Sequence, residues 1–360
     1  MEKSALRIGL CLCGGGVTGA MYQVGCLAAL EDRIESFQAS GFDLFVGTAS
    51  GAAVATALAG GLSVQRMYRA LLDPADDFFP LSRNHLLRID LAELVRGFGT
   101  TIAAARRVVS SAATNPLDVN VWMELERFVD SLPAGVFTLE PYERFLSEFM
   151  ARRGISQRFV DLPRTLYIVA NDLDAGQRVV FGEGSLRDVP IARAIAASSA
   201  LPILYAPVSY EGRDYIDGGI GDVAHVDLAQ QYGCDLIVVV NPMVPVRAGA
   251  TGRDVPTGHG PQRRVRDKGA LWVYEQAMRM RGEARLRLAL EQTRVSSPQT
   301  DIVVLEPKQS DATLFMYSPM NFAARRAILE EGYTATVRLL SDPESQLRQT
   351  LERHGFKLGS

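Results

Sequence analysis

Residues 47–51 have the spacing of a nucleophile elbow, the sharp turn between a strand and a helix that presents a catalytic side chain. The segment reads Gly-Thr-Ala-Ser-Gly. The motif Gly-x-Ser-x-Gly needs small residues two positions either side of its apex, because larger side chains would clash in so tight a turn. Gly47 and Gly51 therefore place the apex at Ala49, which has no nucleophilic atom. An apex at Ser50 would put a β-branched residue at one flank and fits the motif poorly.

The residues around this turn predict the strand and the helix that an elbow requires. Residues 42–46 (Phe-Asp-Leu-Phe-Val) are typical of a short buried strand. The alanine-rich run 52–59 predicts a helix, which Gly60 and Gly61 would end. An ordinary glycine-rich turn between a strand and a helix would give the same local pattern. The motif therefore needs support from elsewhere in the chain.

That support comes from a glycine loop near the start of the chain. Residues 6–13 predict a buried strand, and residues 20–30 predict an amphipathic helix. The glycines of the loop between them are Gly14, Gly15, Gly16 and Gly19. A strand, a glycine loop and a helix point backbone N–H groups at an anion. We interpret the loop as an oxyanion hole, whose amides stabilise the charge on a tetrahedral acyl intermediate.

A nucleotide-binding loop is the alternative interpretation of the same glycines. The Walker pattern is missing, because no Gly-Lys-Ser/Thr follows the loop. Gly14, Gly16 and Gly19 do match the Rossmann spacing, but that fold expects an acidic residue at the end of a second strand about 20 positions further on. Glu35 and Asp43 flank a loop instead. Nucleotide binding is therefore the third hypothesis, and titration with ATP and NAD would detect it.

A carboxylate that could act as a general base stands in the segment Tyr-Ile-Asp-Gly-Gly at residues 215–219. A strand-like stretch at 207–210 and a turn at 211–214 precede it, so Asp217 would lie on a tight, unshielded turn. The histidines are His85, His225, His259 and His354, and none of them lies in a recognisable triad motif. We therefore predict a serine–aspartate dyad in which Asp217 takes the proton of the serine directly.

In this order, the glycine loop, the elbow and the Asp-Gly-Gly turn resemble the patatin-like phospholipase family. The resemblance continues through residues 170–176, 196–202 and the strand 235–240. It covers about residues 5–245, with weaker similarity around 332–333. It implies a three-layer α/β/α fold with a mostly parallel central sheet. It also implies a lipid acyl hydrolase that cleaves carboxylic esters of phospholipids or related lipids without a cofactor or a metal.

The resemblance assigns roles residue by residue. Position 49 corresponds to the nucleophile and Asp217 to the general base. The oxyanion loop corresponds to Gly14, Gly15, Gly16 and Gly19, and the elbow to Gly47, Ser50 and Gly51. Two residues depart from the family pattern. Thr18 stands where an arginine or lysine is usual, and Ala49 stands where the serine is expected.

Ala49 has two competing explanations: an engineered inactivating substitution, or a natural pseudoenzyme that binds lipid or acts as a scaffold. A decayed enzyme would be free to lose Asp217 and the loop glycines as well, and all of them are present, which favours engineering. Ser50 as a displaced nucleophile is the weakest explanation. Adjacent Cα atoms lie about 3.8 Å apart, and misplacing a reacting group by about 1 Å can cost on the order of 100-fold in rate.

Length and composition favour one α/β unit over the 360 residues, with a net charge of −3. We expect a single domain with a core over about 5–245, a helical insertion at 73–137 and a loop and helical extension at 247–358. No apolar run is long enough to span a membrane, and the N-terminus does not resemble a signal peptide. We therefore expect a cytoplasmic protein, in contact at most with a membrane surface.

The four cysteines and the charge exclude two further classes of function. The cysteines fall on buried strand or helix patterns, without histidines at metal-ligand spacing, and are predicted to be reduced core thiols. They are Cys11, Cys13, Cys26 and Cys234. The slightly acidic net charge argues against nucleic acid as a partner.

Two regions outside the shared core each leave two interpretations open. The insertion 73–137 predicts helices near 102–113 and 119–132, which would form either a lid over the acyl site or a plain helical cap. The region 247–293 begins with a polar loop up to residue 261 and continues as a helix to about Gln292. Between them lies a basic cluster: Arg263, Arg264, Arg266 and Lys268. The cluster could meet an anionic lipid surface, or it could be a solvated helix face with the neighbouring tryptophan packed inward.

Overall fold

The computed structural model describes residues 6–73, 75–89, 133–247, 254–257, 259–308, 315, 317 and 322–359. Its strands are β1 (Ile8–Leu12), β2 (Leu44–Thr48), β3 (Arg88–Ile89), β4 (Gly135–Thr138), β5 (Thr165–Asp172), β6 (Gln177–Phe181), β7 (Ile203–Tyr205), β8 (Val208–Tyr210), β9 (Arg213–Asp217), β10 (Leu236–Val240), β11 (Val255–Thr257), β12 (Gly260–Gln262) and β13 (Asp301–Leu305). Its α-helices are α1 (Gly16–Arg33), α2 (Ser50–Ala59), α3 (Val64–Leu72), α4 (Arg83–Leu86), α5 (Glu140–Arg153), α6 (Ile191–Ser198), α7 (Val226–Tyr232), α8 (Ala270–Ser296), α9 (Phe322–Ser341) and α10 (Gln346–Arg353).

The central sheet has the strand order β13-β10-β1-β2-β5-β9-β8, with β6 also paired to β5. Strands β13, β10, β1, β2 and β5 are parallel to one another. Strands β6 and β9 run antiparallel to β5, and β8 runs antiparallel to β9. The predicted α/β fold with a mostly parallel central sheet is therefore confirmed.

Helices cover both faces of the sheet, which makes the three layers. Alternate residues of β1 point to opposite faces, as the two-residue period of a strand requires. Leu10 and Leu12 lie in the core under α1, α2, α5, α6 and α9. Cys11 and Cys13 lie in the core on the other face, under α7 and α8.

All four cysteines are buried and free. Burial raises the pKa of each thiol, to about 12 for Cys26 and Cys234, so the thiols stay protonated at neutral pH. They pack as small apolar side chains, as the sequence pattern predicted.

The register of β5 brings the end of β2 next to the end of β9. One edge of β5 pairs with β6 over its second half. The other edge of β5 pairs first with β2, whose last residue, Thr48, lies opposite Val169. From Ala170 onward the same edge pairs with β9, and Asp217 lies opposite Ala170. The last residue of β2 and the last residue of β9 therefore lie opposite consecutive residues of β5, and Ala49 directly follows the first of them.

Two sequence predictions have a different outcome in the fold, and a third is not tested. The helices predicted at 102–113 and 119–132 lie outside the described residues. The stretch predicted as a loop up to residue 261 contains the hairpin β11–β12, with Val255 fully buried. The glycine loop is shorter than predicted, because α1 begins at Gly16. Among the described residues, no helix has the length and apolar character needed to cross a membrane.

Candidate active site

Ala49 occupies the apex of a strained turn between β2 and α2. Its backbone has φ 50° and ψ −120°, a region that residues with a side chain rarely adopt. A Cβ on Gly47 would lie 2.5 Å from the Cα of Ala52, and one on Gly51 would lie 2.4 Å from the carbonyl oxygen of Leu12. Neither flank has room for a side chain, which is the steric requirement of a nucleophile elbow.

The glycine loop lies directly against this apex. A Cβ on Gly14 would be 3.4 Å from the Cβ of Ala49. The amides of Gly14 and Gly15 donate to no acceptor among the described residues. The φ of 135° at Gly15 and of 63° at Gly16 lies in the range that favours glycine. The loop can thus supply backbone donors beside position 49.

Gly19 has a different place from the one predicted. It lies in the first turn of α1, where its amide donates to the carbonyl oxygen of Gly15 at 2.9 Å. That N–H is engaged and cannot serve an oxyanion. A Cβ on Gly19 would come within 3.1 Å of the Pro242 ring and 3.2 Å of the Gly14 oxygen, so its role is close packing beneath the loop.

Thr18, the departure from the family pattern, is buried in the same first turn. Its Oγ1 donates to the carbonyl oxygen of Gly15 at 3.3 Å. This hydrogen bond stabilises the glycine loop against the first turn of α1, but the threonine side chain carries no charge. The positive charge that an arginine or lysine would bring to this position is therefore missing at residue 18.

Asp217 is the last residue of β9 and is held on a turn against the end of β2. Its Oδ1 accepts the N–H of Gly219 at 2.6 Å. A Cβ on Gly218 would lie 2.2 Å from the carbonyl oxygen of Val169 and 3.2 Å from Cγ2 of Thr48. Burial removes water from the carboxylate and raises its pKa from 3.8 to about 7, against a smaller lowering by the Gly219 amide. A base with a pKa near neutrality is well matched to accepting a proton at physiological pH.

The raised pKa of Asp217 leads to a prediction about stability. The folded chain binds this proton more tightly than the unfolded chain, so the free energy of unfolding falls as the pH rises from about 4 to about 7. Asp217→Asn cannot ionise. We expect it to raise the free energy of unfolding at pH 8 by roughly 1 to 4 kcal/mol, because one pKa unit is worth about 1.4 kcal/mol, and to have little effect at pH 4. Urea unfolding at the two pH values measures the difference, and an equal effect at both would contradict the raised pKa.

Two contacts to these residues were not foreseen from the sequence. Ser198 Oγ accepts the N–H of Ala49 at 2.8 Å. Asn171 Nδ2 donates to the main-chain oxygen of Asp217 at 2.7 Å. Both residues lie in segments that carry the family resemblance, but nothing in the local sequence indicated which atoms they would contact.

A cavity of about 470 Å³ opens over the elbow, the glycine loop and Asp217, which all lie on its wall. Most of the remaining lining is apolar and comes from several elements. Representative residues are Val24, Ala53, Phe79, Tyr142, Ile195 and Met278. Ser50 also lines the cavity, and its buried Oγ has no hydrogen-bond partner in the described part of the chain. An apolar cavity with a few polar groups on its wall suits an apolar ligand with one reacting group.

All four histidines lie within the described residues, and none of them lines the cavity. His225 is the nearest in sequence to Asp217. It is fully buried, and burial lowers its pKa to about 4, so it is neutral at physiological pH. No group of three or more His, Cys, Asp or Glu side chains could hold a metal ion in the described ranges.

The basic cluster divides into exposed and engaged residues. Arg263, Arg264 and Arg266 are exposed. Lys268 is turned back, with Nζ 2.6 Å from the carbonyl oxygen of Pro256 and 4.3 Å from the ring centroid of Trp272. Trp272 packs against a small core of valines and lines the cavity. Trp272 packs inward as the second interpretation predicted, while the exposed arginines remain compatible with contact to a lipid surface.

A match to a family model agrees with the family resemblance. The model of the family described as patatin-like phospholipase matches residues 10–229. Probable lipid hydrolase 463L of Invertebrate iridescent virus 6 is 22% identical over 229 residues, which are 62% of this chain and 63% of that protein. VipD from Legionella pneumophila aligns over 93% of this chain and 66% of its own, with 17% identity and a TM-score of 0.40. The type III effector protein ExoU aligns over 92% of this chain and 52% of its own, with 16% identity and a TM-score of 0.39. This chain thus spans from about half to about two thirds of the length of these relatives.

Proposed function

This chain belongs to the patatin-like phospholipase family, and we propose that it is a lipid acyl hydrolase in which alanine replaces the nucleophilic serine at position 49. The observation that carries the proposal is that one cavity has the elbow apex, the glycine loop and the Asp217 carboxylate on its wall. With Ala49 in place, the chain lacks the atom that would attack the substrate. As it stands, the chain is therefore inactive.

With serine at position 49, the reaction follows from the positions of these groups. The serine hydroxyl attacks the ester carbonyl carbon and passes its proton to Asp217, while the loop amides stabilise the negative oxygen. The tetrahedral intermediate collapses, and the leaving alcohol takes the proton from Asp217. Water then attacks the acyl-enzyme and gives a proton to Asp217. The free acid departs, and that proton returns to the serine oxygen.

The apolar lining supports a fatty acyl ester as the substrate class. Acyl chains gain about 0.8 kcal/mol for each CH₂ group buried, and the cavity offers apolar side chains on most of its wall. Carboxylic esters of phospholipids or related lipids fit this description. Hydrolysis of such an ester after Ala49→Ser, compared with this chain, tests the proposal.

A second candidate function keeps the cavity but not the reaction. If Ala49 is natural, the intact apolar lining supports a pseudoenzyme that binds lipid or acts as a scaffold. Asp217 and the loop glycines would then have been kept without catalytic use. The genomic codon for residue 49 separates the two candidates.

The core, the insertion and the C-terminal extension are proposed to form one functional unit. Phe78 and Phe79 of the insertion line the cavity, as do Trp272 and Met278 of α8. The core supplies position 49 and the base. All three parts therefore contribute to one binding site, which supports the single domain expected over residues 1–360. The cytoplasmic location stays a prediction.

The exposed part of the basic cluster is proposed to contact an anionic lipid surface. Arg263, Arg264 and Arg266 lie four to seven residues before the start of α8, whose first turn carries the cavity-lining residues Leu271 and Trp272. Cations next to a cavity for acyl chains would hold its opening near anionic head groups. Lys268 is omitted from this surface because the protein itself engages its ammonium group.

Changing Arg263, Arg264 and Arg266 together to glutamine is expected to weaken binding to anionic vesicles at least tenfold. Each cation near such a surface contributes about 1 kcal/mol, and salt screens the attraction. Sedimentation with phosphatidylcholine vesicles, with and without phosphatidylserine, measures the effect at low and high salt. The matched control changes the exposed Arg152, Arg158 and Arg187 instead. Equal losses of vesicle binding in both triple variants would show that only the net charge matters and would contradict the proposed surface. Unchanged binding in the first variant would contradict it as well.

A further inference from the structure

We propose that Ser198 and Asn171 are positioning residues that fix position 49 and Asp217 relative to one another. The inference rests on the proposed hydrolase function and adds two residues to it. Neither side chain belongs to the reacting groups. Each forms a hydrogen bond to the main chain of one of them.

Ser198 anchors the elbow apex. Its side chain is fully buried at the end of α6, and its Oγ has two partners. It accepts the N–H of Ala49 at 2.8 Å and donates to the carbonyl oxygen of Val169 at 2.5 Å. Ala49 stands between the end of β2 and the start of α2, and its amide donates to this hydroxyl rather than to a main-chain carbonyl. A hydroxyl can accept from that amide and donate to β5 at the same time, which an apolar residue cannot do.

Asn171 anchors the base. Its Nδ2 donates to the main-chain oxygen of Asp217 at 2.7 Å. The N–H of Asp217 donates to the carbonyl oxygen of Ala200 at 3.0 Å. The main chain of Asp217 is therefore held on one side by β5 and on the other by the segment that follows α6. The carboxylate itself remains directed by Gly219.

Both anchors converge on the same three residues of β5. The carbonyl oxygen of Val169 accepts the hydrogen bond from the Ser198 hydroxyl. The same oxygen lies so close to Gly218 that a Cβ on residue 218 would clash with it. Asn171 lies two residues further along the same strand. The separation between the nucleophile position and the base is thus set by one short segment of β5. A misplacement of about 1 Å between reacting groups can cost on the order of 100-fold in rate.

The test introduces Ser198→Ala and Asn171→Leu separately into the Ala49→Ser chain. We expect each to lower kcat at least tenfold while KM for a soluble ester stays within about twofold, because positioning acts in the transition state. The double variant is expected to lose less than the product of the single losses, because both anchors maintain one geometry. The control is Thr293→Val, which removes a buried hydroxyl that donates to the Ala289 oxygen at 2.9 Å, away from the cavity. An unchanged kcat in both variants, or a loss no larger than that of Thr293→Val, would overturn the proposal.

A second pair of measurements uses the chain with Ala49 and needs no activity. Ser198→Ala is expected to speed amide hydrogen exchange in residues 47–52 at least tenfold relative to Thr293→Val. Asn171→Asp places a second carboxyl next to Asp217 and is expected to raise the pKa of Asp217, followed by ¹³C NMR of the carboxyl group. If Ala49→Ser is inert while these two quantities change, the hydrolase proposal fails and the anchoring stands. If neither quantity changes, the anchoring is wrong. If Ser198→Ala does not fold, the two Asn171 variants decide the question.

Discussion

Ala49→Ser is expected to turn this chain into an esterase at least about 1000 times faster than the chain with alanine. One cavity wall carries a strained apex, two loop amides that donate to no acceptor among the described residues, and a carboxyl whose pKa of about 7 suits proton transfer. Removing a nucleophile that works as a unit with its base costs most of the catalysed rate, so restoring it should return that rate. Initial rates on a p-nitrophenyl ester, at matched protein concentrations, measure the change.

The matched control for this variant is Ser50→Ala in the Ala49→Ser chain. Ser50 also lines the cavity, so a contribution from its hydroxyl would show as a loss of the restored rate. We expect that rate to stay within about threefold. Equal and negligible rates for Ala49→Ser and for this chain, with both folded, would show that the assigned nucleophile position is wrong.

Asp217→Asn in the Ala49→Ser chain is expected to remove at least 99% of the restored activity. A positioned general base contributes about 100-fold to 10,000-fold, and an asparagine side chain cannot accept the proton of the serine. In the parent Ala49→Ser chain, kcat/KM is expected to rise with pH through about 7, as the Asp217 carboxyl loses its proton. The pH profile and the variant therefore report on the same group.

The histidines provide the contrasting control for a dyad. His85, His259 and His354 can be replaced together, and His225, which is buried, separately by glutamine with its melting temperature checked. We expect each of these chains to keep activity within about threefold, because none of the four side chains lines the cavity. Loss of activity from one histidine in a folded chain would indicate a triad. EDTA is expected to have no effect.

The local elements that carry the site could be predicted from the sequence because their signals are short-range. Strand β2, the elbow and α2 follow one another within a few residues, and Gly47 and Gly51 identify the apex by steric need alone. The Asp-Gly-Gly turn at residue 217 and the buried strands β1 and β10 are equally local. The order of these motifs indicated the family, and through it the α/β/α fold. Ala49 itself was visible at once as a departure from the motif.

The tertiary structure alone decided how these elements meet. Strands β2 and β9 pair with the same edge of β5, one after the other, so Thr48 and Asp217 lie opposite the consecutive residues Val169 and Ala170. No periodicity specifies such a register between distant segments. Burial by residues from many parts of the chain raises the pKa of Asp217. The amide of Gly19 donates to the carbonyl oxygen of Gly15 because α1 begins three residues earlier, at Gly16. Glycines are poor helix formers, so the sequence did not indicate this helix start. The Ser198 hydroxyl accepts from the Ala49 amide and donates to the Val169 carbonyl oxygen, two main-chain groups that only the tertiary structure brings together.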